Sequence, residues 1–73
     1  MASEHEATYR LTEIVGTSEE SIHQAVRNGI GRATQTLRNV DWFEVTQIRG
    51  QIVDDNVAHF QVGLKVGFRL EDA

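Results

Sequence analysis

The chain has 73 residues, no cysteine, and 11 acidic against 7 basic side chains for a formal charge of −4. This excludes a disulfide scaffold, a thiolate zinc site and the basic surface that nucleic-acid binding requires. A domain this small buries only about 60% of the surface its unfolded chain exposes, so self-association is the favoured source of stability. His5, His23 and His59 are too dispersed in sequence to suggest a metal set, and no stretch nears the roughly 20 apolar residues of a membrane span. Residues 1–6 are polar, acidic and without periodicity. They read as a flexible tail rather than a targeting peptide, leaving residues 7–73 as a single domain of a cytoplasmic protein.

From Ala7 to Val15 the pattern is that of a strand, with Tyr9, Leu11 and Val15 on one parity, Thr8, Arg10 and Thr12 on the other, and Gly16 as its end. A helix follows. Thr17 and Glu20 have capping-box spacing, Ser18 is an alternative N-cap, and Ile22, Ala25, Val26, Ile30, Ala33, Leu37 and Val40 form one apolar stripe at helical period. Gly29 and Gly31 interrupt the helix, each at a cost of about 1 kcal/mol relative to Ala. They are either tolerated or mark places where another backbone packs closely.

Asp41 to Val53 and Val57 to Leu70 read as two strands joined by Asp54-Asp55-Asn56. The second alternates cleanly, Phe60, Val62, Leu64, Val66 and Phe68 facing one way and His59, Gln61, Gly63, Lys65, Gly67 and Arg69 the other. The first does not: Phe43 and Val45 share one parity, Ile48 and Ile52 the other. A β-bulge near Thr46 restores all four to one face. Pairing Val53 with Val57 then sets Ile48 opposite Val62, Val45 opposite Val66 and Phe43 opposite Phe68. On the polar face, Trp42, Glu44, Gln47, Arg49 and Gln51 meet Arg69, Gly67, Gly63, Gln61 and His59. The expected fold is α+β, a β-α-β-β chain whose three-stranded antiparallel sheet packs its apolar face on one helix.

The polar face carries the only tryptophan. Trp42 either packs as core or offers a flat surface on which a planar ligand stacks, and Phe43 already fills the core-facing slot. Gln61 has the donor and acceptor that suit the imide edge of a flat heterocycle, and Arg49 opposite it suits a phosphate. The alternative is a solvated cross-strand polar pair. Gly63 and Gly67 are open floor or close-packing sites between subunits. Catalytic signals are absent: there is no paired-carboxylate arrangement, no nucleophile signature and no phosphate-binding glycine loop. His59 reads as a solvated sheet histidine.

The order Glu13-Ile14-Val15-Gly16-Thr17-Ser18, Asp41-Trp42-Phe43-Glu44-Val45, Ile48-Arg49-Gly50, Phe60-Gln61-Val62 and Val66-Gly67-Phe68-Arg69-Leu70 resembles the dodecin family from about Tyr9 to Leu70. The resemblance implies a hollow homo-dodecamer that binds flavin and catalyses no reaction. Trp42 would stack on the isoalloxazine ring, with two flavins sandwiched between symmetry-related tryptophans, and Gln61 would hold the ring edge. Arg49 matches bacterial-type members, which favours FMN over riboflavin; riboflavin and FAD remain the alternative flavins. Gln47 and Gln51 are the remaining candidate contacts, standing where archaeal-type members carry acidic residues. Coenzyme A is a candidate second ligand. The implied role is flavin storage that quenches photochemistry. The competing classes are a flavin-dependent oxidoreductase and a purely structural oligomer.

Overall fold

The computed structural model describes residues 6–71, so most of the expected tail lies outside the described residues. The elements follow as β1 (Tyr9–Ser18), α1 (Ile22–Thr36), β2 (Val40–Val53) and β3 (Asn56–Arg69). The sheet order is β1-β3-β2, and β3 pairs antiparallel with both neighbours. The expected β-α-β-β fold is the observed one.

Gly16 does not end β1. The strand runs on through Thr17, opposite Gln61, to Ser18, opposite Phe60. Gly16 lies where the helix crosses: a β-carbon there would collide with the Ala25 carbonyl and come within 3.1 Å of Gly29 Cα. The strand ends instead where the Ser18 hydroxyl turns back to accept from the backbone N–H groups of Glu20 (2.9 Å) and Ser21 (3.4 Å). That employment leaves Ser21, not Thr17 or Ser18, to cap the helix. Its side chain accepts from the Gln24 N–H at 2.9 Å, satisfying one of the otherwise orphaned first-turn donors.

Ala25, Gly29 and Ala33 recur every four residues and form the buried line of α1. Such small residues let the helix approach the sheet closely. The core is completed by Val62, Leu64 and Val66 of the central strand, all fully buried, with Ile14, Val26, Ile30, Leu37 and Val40 packed around them. Gly29 is thus a close-packing position, but Gly31 is not: a β-carbon there meets nothing within 4 Å. The helix ends at Leu37, whose N–H donates to the Ala33 carbonyl, so Val40 belongs to β2 rather than to the helical stripe.

The bulge at Thr46 is present, between the pairs Val45–Leu64 and Gln47–Gly63. Its consequence differs from expectation. Two β2 residues facing one on β3 retard the register, so Val45 meets Leu64 rather than Val66, and Phe43 meets Val66 rather than Phe68. Trp42 accordingly lies opposite Gly67 and Glu44 opposite Lys65. A second irregularity between Gln51 and Ile52 pairs Val53 with Asn56 and Ile52 with Val57.

A 14-residue strand is about 48 Å long and a 15-residue helix about 22 Å. The helix therefore cannot cover the hairpin, and the chain measures 55 × 20 × 15 Å. Phe43, Val45 and Ile48 sit on the apolar face of β2 yet remain about half exposed, at 47%, 43% and 58%. An apolar groove bounded by Ile22, Val26, Ile30 and Phe43 separates the helix from β2. A chain with so much apolar surface uncovered has the form of a subunit.

Candidate functional site

The face of the sheet turned away from α1 is a ladder of rungs. Leu11, Gly67 and Trp42 form one rung, Glu13, Lys65 and Glu44 the next, then Val15, Gly63 and Gln47, then Thr17, Gln61 and Arg49. His59 and Gln51 close it at the hairpin end. The expected oppositions of Arg49 with Gln61, Gln51 with His59 and Gln47 with Gly63 are those observed.

Trp42 is 42% exposed and belongs to this face. Its indole lies over Gly67, where no side chain intervenes. Tyr9 flanks it, with ring centroids 5.9 Å apart and planes tilted by 45°. The Tyr9 hydroxyl donates to Asp41 Oδ2 at 2.7 Å, which ties the end of β1 to the residue preceding the tryptophan. The parity that Tyr9 shares with Leu11 and Val15 thus faces outward, and both aliphatics are 50% exposed. Tyr9 was the neighbour that sequence parity held without revealing: it becomes visible only once the β1–β3 register is known.

The other candidates gather elsewhere. Gln47, Arg49, Gly63 and Lys65 line a cleft with Glu13 and Thr46. The bulged Thr46 donates its hydroxyl to Glu13 Oε2 at 3.3 Å, and a β-carbon on Gly63 would stand 2.7 Å from that hydroxyl. Lys65 is register partner to both Glu13 and Glu44. Gln61 lies beyond, six positions along β3 from Gly67 and hence about 20 Å from the Trp42 rung. The structure brings Arg49, Gln61, Gln51 and Gln47 into one neighbourhood and leaves Trp42 in another.

A flat, half-exposed indole and a separate polar cluster thus share one sheet face of a small α+β chain. Comparison with known proteins gives the class. The family model Dodecin matches residues 8–71. The dodecin of Thermus thermophilus is 52% identical over 64 residues, covering 88% of this chain and 93% of that protein. The structure of dodecin from Streptomyces coelicolor superimposes with a TM-score of 0.87 at 66% identity, covering 93% of this chain and 97% of the other. Dodecin from Streptomyces davaonensis gives 0.87 at 61% identity, with coverage of 92% and 98%. The chain belongs to the dodecin family.

Among the described residues no helix is long and apolar enough to cross a membrane, and no group of three or more His, Asp or Glu side chains could hold a metal ion.

Proposed function

We propose that the protein is a cytoplasmic flavin store, a homo-dodecamer that stacks FMN on Trp42 between subunits and performs no turnover. The observation that carries this reading is the seat of the indole: a flat aromatic surface, 42% exposed, lying over Gly67 on the sheet face that also carries Gln47, Arg49, Gln51 and Gln61. An isoalloxazine ring gains stacking energy on such a surface, and the indole is an electron donor that quenches an excited flavin.

The spacing of the candidates fits a shared site. An isoalloxazine cannot bridge about 20 Å, so a ring resting on Trp42 of one copy meets Gln61 of another. Gln61 then offers a donor and an acceptor to the imide edge, Arg49 a cation for the phosphate, and Gln47 and Gln51 contacts for the ribityl chain. The same shell covers the apolar face of β2. Riboflavin and FAD are the alternative flavins, and coenzyme A is a candidate second ligand.

The test is a titration of apo-protein into FMN, riboflavin, FAD and coenzyme A, following flavin fluorescence and, for coenzyme A, the heat of binding, beside Trp42→Ala. Saturable quenching by FMN that disappears in the variant, while native mass spectrometry still finds the oligomer, is the expected result. Absence of quenching by every flavin overturns the reading. Loss of the assembly in Trp42→Ala would instead make the indole a structural residue.

A further inference from the structure

β2 begins with a bulge placed directly before the tryptophan. Val40 meets Phe68 and Trp42 meets Gly67, so Asp41 is an extra residue with no register partner on β3. The backbone ahead of it is fixed to the same strand. The Asn39 carbonyl accepts from the Arg69 N–H at 3.0 Å, and Asn39 Nδ2 donates to the Arg69 carbonyl at 3.2 Å. A bulge re-aims the side chains beside it, and here the next side chain is the indole.

Asp41 is held from the opposite edge of the sheet. Tyr9 lies on β1, opposite Arg69, and its hydroxyl reaches past the central strand to donate to Asp41 Oδ2 at 2.7 Å. The central strand has no side chain at Gly67, and the rings of Tyr9 and Trp42 come to 5.9 Å between centroids, tilted by 45°. Tyr9 thus acts on the indole twice, directly through its ring and through its hydroxyl by way of the bulge. We infer that Tyr9 is a positioning residue: its hydrogen bond to the bulged Asp41 latches the Trp42 indole at the angle on which a flavin stacks. The inference rests on the flavin reading above.

Stacking depends on the offset and tilt of the two rings. An indole that is 42% exposed has little packing of its own to fix them. Any freedom that it keeps in the empty site is lost when the ligand binds, and that ordering weakens the complex. Gly67 gives the ring a floor, and Tyr9 gives it a flank. The Tyr9–Asp41 bond is exposed, and a single such bond contributes only modestly to folding. Removing it therefore leaves the subunit standing and loosens the indole.

Trp42 is the only tryptophan of the chain, so tryptophan fluorescence reports on this position alone. Time-resolved anisotropy of the full-length apo-protein measures how freely the indole swings. Quenching of FMN and riboflavin measures affinity, and native mass spectrometry records the oligomer. Tyr9→Phe keeps the ring and loses the hydroxyl, while Asp41→Ala loses the acceptor. Each is expected to enlarge the fast anisotropy decay and to weaken FMN and riboflavin by the same factor, about fivefold to tenfold. The double variant is expected to bind no more weakly than either single one, because both remove one bond. Asp41→Asn, whose carboxamide oxygen still accepts from the phenol, is expected to keep most of the affinity. Unchanged anisotropy or affinity in Tyr9→Phe, additive losses in the double variant, Asp41→Asn as weak as Asp41→Ala, or weakening that follows dissociation of the oligomer each overturns the inference while leaving flavin binding standing. Failure of FMN, riboflavin and FAD alike to bind the wild type removes the flavin reading itself and this role with it.

Discussion

The indole of Trp42 occupies the space that a side chain at position 67 would need. A β-carbon on Gly67 would stand 2.5 Å from indole Cε2 and Cζ2 and 2.8 Å from Cδ2. Gly67→Ala must therefore push the ring off its seat. Because Trp42 is 42% exposed, the ring has room to tilt outward, and the fold survives. The expected outcome is a changed near-ultraviolet circular dichroism signal for tryptophan, an intact oligomer, and flavin affinity weakened by about tenfold, the worth of one aromatic stack. Unchanged flavin affinity would show that the ligand does not read the orientation of the indole.

Gly16 and Gly29 are the matching pair on the helix side. A β-carbon on Gly29 would lie 2.9 Å from Leu64 Cδ1 and 3.2 Å from Gly16 Cα. The leucine methyl can move but the β1 backbone cannot, so Gly29→Ala is expected to destabilise the subunit by about 1–3 kcal/mol through overpacking. Gly31→Ala is the control, with no atom within 4 Å of the added carbon in the subunit. It is expected to gain about 0.5–1 kcal/mol from helix propensity. Denaturant midpoints of the two variants give the comparison.

The proposed assembly needs a contact surface on β2, and Ile48 is the residue that tests it. It is 58% exposed although its register partner, Val62, is fully buried. Covering an isoleucine completely is worth about 1.5–3 kcal/mol, and every copy in a symmetric shell repeats the gain. Ile48→Glu places a charge there instead, and native mass spectrometry is expected to find subunits or small fragments in place of the oligomer. An intact oligomer would exclude this stretch of β2 from the interface.

Much of this was legible in the residues because β3 alternates without a break. Val62, Leu64 and Val66 on one parity and Gln61, Gly63 and Gly67 on the other determine both faces of the sheet, and the parity change between Val45 and Ile48 locates the bulge. Parity alone leaves the direction of the register shift open, since an extra residue on either strand satisfies it. In sequence β1 ends at Gly16, because glycine usually interrupts strands, whereas the strand continues to Ser18. Here the missing side chain of Gly16 admits the helix backbone, a tertiary cause that local pattern does not contain. The N-cap differs for a similar reason: spacing points to Thr17 or Ser18, and only the strand end that engages the Ser18 hydroxyl leaves the cap to Ser21. The candidate residues were placed on the right face. Their separation along it is also legible: the expected register already sets Trp42 opposite Arg69 and Gln61 opposite Arg49, and the observed one moves Trp42 to Gly67, still far from Gln61.

The hairpin turn supplies the last prediction. Asp54 and Asp55 have φ values of 52° and 65°, and Val53 pairs with Asn56 across them. This is a two-residue turn with positive φ at both central positions, the geometry that Asn-Gly adopts best. A left-handed conformation costs a side-chain-bearing residue about 1–2 kcal/mol, less for Asp than for most, and two adjacent carboxylates repel. The double substitution Asp54→Asn with Asp55→Gly is expected to stabilise the hairpin by roughly 0.5–1 kcal/mol. It should slow amide exchange at the strand ends next to the turn. Flavin affinity is expected to stay unchanged, because the turn carries none of the groups assigned to the ligand. A fall in affinity would mean that the two carboxylates, or the position of His59 three residues beyond Asn56, reach the ligand from the end of the hairpin.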